Sequence, residues 1–180
     1  MGEQGLGKAQ LINSLFLCDI YNDEFPSSSE RITNKIKIDQ FRLQMWENSV
    51  NMRLEISDVP GFGAYVNNNN SWNAVTEYIE GKFLQFHENE SEIDRCEQSD
   101  DFVHACLYFL SPHNPKLKPL DIECLKSIHE LVNIILVIAK ADGLTVVERE
   151  EVKNTIRDQI DAEGIHVYEF TDLHDERQNK

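Results

Sequence analysis

Apolar residues recur along this chain in two rhythms. Leu11, Ile12, Leu15 and Phe16 fall on one face of a helix that follows a glycine-rich loop from Gly2 to Lys8. Further on, Ile36, Ile38 and Leu43, then Val50, Met52, Leu54 and Ile56, alternate with polar residues, which predicts two adjacent strands turning near Glu47, Asn48 and Ser49. Phe102 to Leu110 and Val132 to Ala139 are continuous apolar runs, the pattern of central strands covered on both faces. Helices are predicted over Trp72 to Phe86, over Leu120 to Leu131 with Ile122, Leu125, Ile128 and Leu131 apolar, and over Thr145 to Ala162 with Val152, Ile156 and Ile160 four apart. Ile165 to Phe170 reads as a last strand. Asp23 to Glu30, Ala64 to Asn70 and Glu88 to Asp101 read as loops, and Thr171 to Lys180 as a polar tail. No internal repeat is found. Strands alternating with helices predict a layered α/β domain.

The length of 180 residues suits one domain, and 41% hydrophobic residues suit a folded one. The formal net charge of −15 argues against non-specific binding to nucleic acid or to an anionic membrane, since both reward clustered Lys and Arg. It leaves room for a locally positive pocket that takes one phosphate-bearing ligand. The four cysteines, Cys18, Cys96, Cys106 and Cys124, are scattered, which is the pattern of reduced thiols in a cytoplasmic protein. The longest apolar run, Ile134 to Ala139, is too short to span a bilayer. The first residues lack the basic start of a targeting peptide, and Gly7 stands where a myristoylation signal wants Ser or Thr.

Chemistry enters with Gly2-Glu3-Gln4-Gly5-Leu6-Gly7-Lys8, which matches G-x-x-x-x-G-K. Glycines let successive backbone N–H groups face phosphate oxygens, Lys8 places a charge near the β and γ phosphates, and the following helix aims its positive end at them. The plainer alternative is a glycine-rich turn with a chance lysine. Two features depart from the pattern. Ala9 follows Lys8 where a Ser or Thr hydroxyl would bind Mg²⁺. The buried strand that leads into such a loop has no counterpart ahead of Gly2 in the sequence.

Two further motifs follow in order. Asp58-Val59-Pro60-Gly61 closes the strand that starts at Val50, where an acidic residue can hold Mg²⁺ through water and the Gly61 N–H can meet a γ-phosphate. An ordinary strand-to-turn sequence is the alternative. Ala139-Lys140-Ala141-Asp142 ends the most apolar strand. There Asp142 can accept two hydrogen bonds from guanine and the Lys140 stem can lie along the base, although a charged strand end would look the same.

With these three motifs the chain resembles the septin family. The resemblance runs from Gly2 to about Phe170, through Gly5-Leu6-Gly7-Lys8, Leu11-Ile12-Asn13-Ser14-Leu15-Phe16, Pro60-Gly61-Phe62-Gly63, Leu107-Tyr108-Phe109, Leu117-Lys118-Pro119-Leu120-Asp121-Ile122, Val132-Asn133-Ile134-Ile135 and Ala139-Lys140-Ala141-Asp142. It implies a three-layer P-loop NTPase-like domain with a mixed, mostly parallel sheet, here lacking the first strand before the phosphate loop. Residues 1–170 then form a G domain truncated at both ends, and 171–180 a tail. The implied function is that of a guanine-nucleotide-binding subunit of cytoskeletal filaments. It would act in the cytoplasm at a septin ring or the cell cortex during division, joined to other septin subunits through the face that contains the nucleotide.

The implied ligand is GTP or GDP. Its phosphates would fall to Gly2, Gln4, Gly5, Leu6, Gly7, Lys8 and Gly61, its guanine to Lys140 and Asp142, and Asp58 would meet Mg²⁺ through water, with Mg²⁺ itself left open. Against efficient hydrolysis, Phe41-Arg42 stands where hydrolysing septins carry a Thr that contacts Mg²⁺ and γ-phosphate, and Thr33 lies too far upstream to replace it. Pro115 stands where the family often has a His reaching to the partner, with His113 close by, and Ala64 follows Gly63 where Asp is usual. Three readings remain: a nucleotide-binding subunit without efficient hydrolysis, a slow GTPase, and a fragment acting through protein contacts with no nucleotide.

Other constellations carry less. His104 and Cys106 share one strand face but have no second pair at zinc spacing, so core packing is expected. No nucleophile elbow is present. The acids of Glu88 to Asp101 read as a solvated loop. Trp72 and Tyr78 fall on different helix faces, one expected in the core and the other exposed.

Overall fold

A computed structural model describes residues 1–17, 20, 38–47, 49–60, 62–63, 68, 70–91, 102–114 and 116–170. Its elements in chain order are α1 (Lys8–Phe16), β1 (Asp39–Glu47), β2 (Val50–Asp58), α2 (Asn73–Ser91), β3 (Ala105–Leu110), α3 (Pro119–Ile128), β4 (Asn133–Ile138) and α4 (Val146–Glu163). The fold is α/β, as the alternation of patterns implies. Among the described residues the strands form two separate pairs. β1 and β2 make an antiparallel hairpin in register from Asp39↔Asp58 to Glu47↔Val50. Ser49, at φ 68°, sits in the turn. β3 and β4 pair in parallel from Ala105↔Asn133 to Leu110↔Ile138.

The amino terminus adds to the second pair. The Met1 nitrogen donates to the Leu107 carbonyl at 2.9 Å, and the Phe109 N–H donates to the Met1 carbonyl at 2.9 Å. Gly2 thereby bridges Phe109 in parallel. Met1 and Gly2 form one rung beside β3, and among the described residues β2 and β3 do not pair.

Helix ends follow local rules. Thr145 and Glu148 cap α4 reciprocally, with the Thr145 N–H donating to the Glu148 carboxylate at 2.8 Å and the Glu148 N–H donating to the Thr145 hydroxyl at 3.3 Å. Gly164 closes the helix in the left-handed region at φ 65°. Val152, Ile156 and Ile160 form its buried stripe, as their spacing implies. On α3, Pro119 sits in the first turn and Cys124, Leu125 and Ile128 are buried. These residues join Val59, Phe62, Val75, Ile79, Tyr108, Leu110 and Ile134 in one core.

Several expectations are corrected. Ile165 to Phe170 is extended but is not a strand: one backbone bond, from the Tyr168 N–H to the Ile134 carbonyl at 2.8 Å, ties it to β4, and Phe170 is 70% exposed. The run from Phe102 becomes a strand only from Ala105, and its first residues are not buried, because their far side faces a groove instead of a neighbouring strand. Trp72 and Tyr78 both pack half-buried against the core. The Tyr78 hydroxyl lies 2.7 Å from Gln40 Nε2 and 2.8 Å from Ser57 Oγ, stitching α2 to the hairpin. His104 is exposed and lies against Phe102, with ring centroids 4.3 Å apart, so it is not a core residue. Ile36, Thr33, Pro115, Ala64, Cys18, Cys96 and the tail 171–180 lie outside the described residues.

Candidate functional site

The register of the strands sets the site. Gly2 pairs with Phe109, and Phe109 pairs with Val137. The phosphate-loop sequence and the Lys140 turn therefore leave the parallel strands at the same, carboxyl-terminal edge, where ligands of such sheets bind. Gly2 is required by its surroundings. A Cβ built there would lie 2.5 Å from the Phe109 carbonyl oxygen and 2.9 Å from Phe109 Cβ, and its φ is 129°. Gly7, at φ 76°, caps α1 without a side-chain bond. The first turn of α1 holds no acid and no side chain caps its N–H groups, so its positive dipole end is not offset by a local carboxylate.

Lys8 turns back over the loop. Its Nζ donates to the carbonyls of Gly2 at 2.7 Å and Glu3 at 2.6 Å. Those acceptors hold the ammonium at the mouth of the loop, where an anion would compete for it. Asp58, 8% exposed, lines the same cavity as Lys8. Its position rests on buried flanks: Val59, Pro60 and Phe62 are all buried, and Phe62 meets Tyr108 edge-on at 6.3 Å. Gly61 lies outside the described residues.

On the other side of the edge, Lys140 is in the left-handed region at φ 49° and leads into the turn Ala141–Gly143. Lys140 and Asp142 are exposed. The Arg149 guanidinium donates to the Ala141 carbonyl at 3.3 Å, fixing this turn to α4. Phe41 and Arg42 are in β1, with the Arg42 guanidinium bonded to Glu55 at 2.9 Å across the hairpin, and neither side chain carries a hydroxyl.

Sequence reasoning did not assign Glu3 and Lys118, 115 positions apart, which form an ion pair. It joins the phosphate loop to the start of α3. Gly63 approaches the same place, where a Cβ would lie 3.5 Å from Leu120 Cδ2 and 3.8 Å from Glu3 Cγ. Beneath it the Tyr108 hydroxyl donates to Asp121 at 2.7 Å, and Asp121 also accepts from the Lys118 N–H at 3.1 Å. Burial pushes the Asp121 carboxyl above its usual range, against the pull of those two hydrogen bonds, and burial raises the Tyr108 hydroxyl strongly. Only charge type hinted at these contacts; nothing in the spacing did.

The loop's donors, one ammonium and an uncapped helix start, fit a phosphate. The residues present fit Mg²⁺ poorly. Ala9 has no side-chain oxygen, Asp58 is the carboxylate that the motif supplies, and no group of three His, Cys, Asp or Glu that could hold a metal occurs among the described residues. No helix of the described residues is long and apolar enough to cross a membrane.

The family model for septins matches residues 1–180. The chain belongs to the septin family. Human Septin-4 is 45% identical over 172 residues, covering 95% of this chain and 36% of the human protein. Mouse Septin-5 is 44% identical over 170 residues, covering 94% and 46%. This septin chain thus spans less than half the length of these relatives. A septin GTPase domain from Chlamydomonas reinhardtii superposes with a TM-score of 0.72 over 99% of this chain and 67% of its own, at 22% identity, which supports the P-loop NTPase-like fold.

Proposed function

We propose that this septin chain is a guanine-nucleotide-binding subunit of cytoskeletal filaments that act in cell division, without efficient hydrolysis. Residues 1–170 serve as its G domain core and 171–180 as a tail. The observation that carries the reading is the Gly2–Phe109 pairing, which sends the phosphate loop and the Lys140–Asp142 turn from one sheet edge. Gly2, Gln4, Gly5, Leu6, Gly7, Lys8 and Gly61 take the phosphates of GTP or GDP, and Lys140 and Asp142 take guanine. Asp58 orients water beneath the phosphates, so Mg²⁺, if recruited, rests chiefly on phosphate and water oxygens. Positioned charge and metal contribute most of the catalysis of phosphoryl transfer, and their reduction here favours binding over turnover. The partners are other septin chains, of the same or a different kind, meeting through the face that holds the nucleotide, at a ring or the cell cortex in the cytoplasm.

A fragment that works through protein contacts alone is the second reading. The exposed start of β3 and the groove beside it favour it. Denaturing the purified protein and identifying the released nucleotide by chromatography decides between the two. Guanine nucleotide near one per chain supports the first reading, and none supports the second. Stoichiometric GTP that persists for hours also excludes a working GTPase.

A further inference from the structure

The phosphate loop carries an acid. Glu3 follows Gly2, and its carbonyl accepts from Lys8 Nζ at 2.6 Å, so its carboxylate belongs to a residue in contact with the cation proposed to meet phosphate. A carboxylate there opposes a second anion, since like charges repel over the short distances of such a site. The structure pairs it. Lys118 Nζ donates to Glu3 Oε1 and forms an ion pair with it. Gly63 backs the Glu3 side chain: a Cβ there would lie 3.8 Å from Glu3 Cγ and 3.9 Å from Glu3 Oε1.

Lys118 stands on a fixed base. The Leu117 N–H donates to Gln159 Oε1 of α4 at 2.8 Å. The Lys118 N–H donates to Asp121 at 3.1 Å, and Asp121 accepts from the Tyr108 hydroxyl of β3 at 2.7 Å. None of these bonds uses the Lys118 ammonium, so α3 keeps its start when that charge is removed. Burial raises the Asp121 carboxyl, the Glu3 charge adds to the rise and the Lys118 charge opposes it, so the three groups form one electrostatic cluster. The Glu3 and Lys118 side chains are both half-buried. A partly exposed pair of this kind adds little to stability, which leaves the charge of the loop as what it changes.

We propose that Lys118 is a positioning residue of the phosphate site: it masks the Glu3 carboxylate and draws it toward α3, so that the loop offers its N–H groups and Lys8 to phosphate without a competing negative charge. The inference rests on the nucleotide-binding reading of this loop. Masking and tethering differ in sign. Without the Lys118 charge, the loop keeps a bare anion beside phosphate. Without the Glu3 charge, it keeps an extra cation. A tether that only held the loop in place would be lost equally from either side.

Lys118→Met and Glu3→Gln are compared with the unaltered chain by calorimetric titration with GDP, GMP and guanosine, at low and at high salt. Lys118→Met is expected to weaken GDP binding about tenfold at low salt, and Glu3→Gln to tighten it severalfold. The Lys118→Met loss is expected to be smaller for GMP, absent for guanosine and reduced at high salt. With both substitutions together, GDP is expected to bind within about twofold of the unaltered chain. A Glu3→Gln protein that loses GDP affinity as Lys118→Met does overturns the proposal, since that is the sign of a tether. So does a loss for guanosine equal to that for GDP, which marks a disturbed fold. Glu3→Gln leaves α3 untouched, so its sign decides even where Lys118→Met fails to fold. GDP affinity unchanged in both variants overturns the masking and leaves the nucleotide reading standing. An unaltered chain that binds none of the three ligands overturns both.

Discussion

Lys8 reaches back to the carbonyl of Gly2 at 2.7 Å, so the cation proposed to meet phosphate is held by the first residue of its own loop. Loop shape and charge position are therefore one feature. Exchanging Lys8 for Met keeps the stem and removes the charge. The loss of charge-assisted bonds to phosphate is expected to weaken GDP binding by about 1.5–3 kcal/mol. Calorimetric titration with GDP checks this, and equal affinity in both proteins would show that Lys8 does not meet the phosphates.

Gly2→Ala tests the backbone approach. The added methyl would meet the Phe109 carbonyl at 2.5 Å in a region of φ that L residues rarely adopt. A destabilisation of about 1–3 kcal/mol is expected from the forced conformation alone. Urea unfolding reads it. Gly143→Ala, where a Cβ meets nothing within 4 Å, serves as the comparison and is expected to change little.

Asp142→Asn exchanges a carboxylate acceptor for an amide at the exposed Ala141–Gly143 turn. Guanine nucleotide binding is expected to weaken by about 1.5–3 kcal/mol, with adenine nucleotides unaffected. Competition between GDP and ADP is the measurement. Equal competition by ADP in the unaltered protein would remove Asp142 from the base site.

Ala9→Ser restores a hydroxyl next to Lys8. It is expected to make nucleotide binding more dependent on Mg²⁺ while single-turnover cleavage stays slow, since Phe41 and Arg42 in β1 have no side-chain oxygen to supply a second ligand. Cleavage that rises in step with Mg²⁺ affinity would locate the catalytic deficit at Ala9 alone.

Glu55 gives the hairpin a pH dependence. Burial raises its carboxyl, but hydrogen bonds from Lys82 and Arg42 outweigh burial and hold it below the usual range. A depressed carboxylate stabilises the fold in full above its unfolded value of about 4.3. That contribution is lost as pH falls through the lower folded value. Thermal unfolding midpoints of the Glu55→Gln protein are expected to fall less steeply with pH below about 4.3 than those of the unaltered chain. Parallel curves would mean that Glu55 contributes nothing in this range.

Much of this protein can be read along the chain. The α4 stripe of Val152, Ile156 and Ile160 and the hairpin turning near Ser49 follow from periodicity, because burial of one face repeats with the element's own geometry. The order of Gly2–Lys8, Asp58 and Lys140–Asp142 likewise points to a family and a fold before any contact is known. Ile165 to Phe170 misled because an alternating apolar pattern reports a half-covered chain, and one bond to Ile134 meets that need without a ladder.

Tertiary structure alone decided the rest. That Met1 would enter a ladder with Leu107 depends on which backbone groups β4 leaves unbonded, a property of two strands together. That Glu3 would meet Lys118 depends on where α3 begins in space. Hydrophobic rhythm reports whether a residue is covered, since that is a local demand of the chain in water. It carries no record of what does the covering, because many neighbours satisfy the same demand, and only close packing selects one.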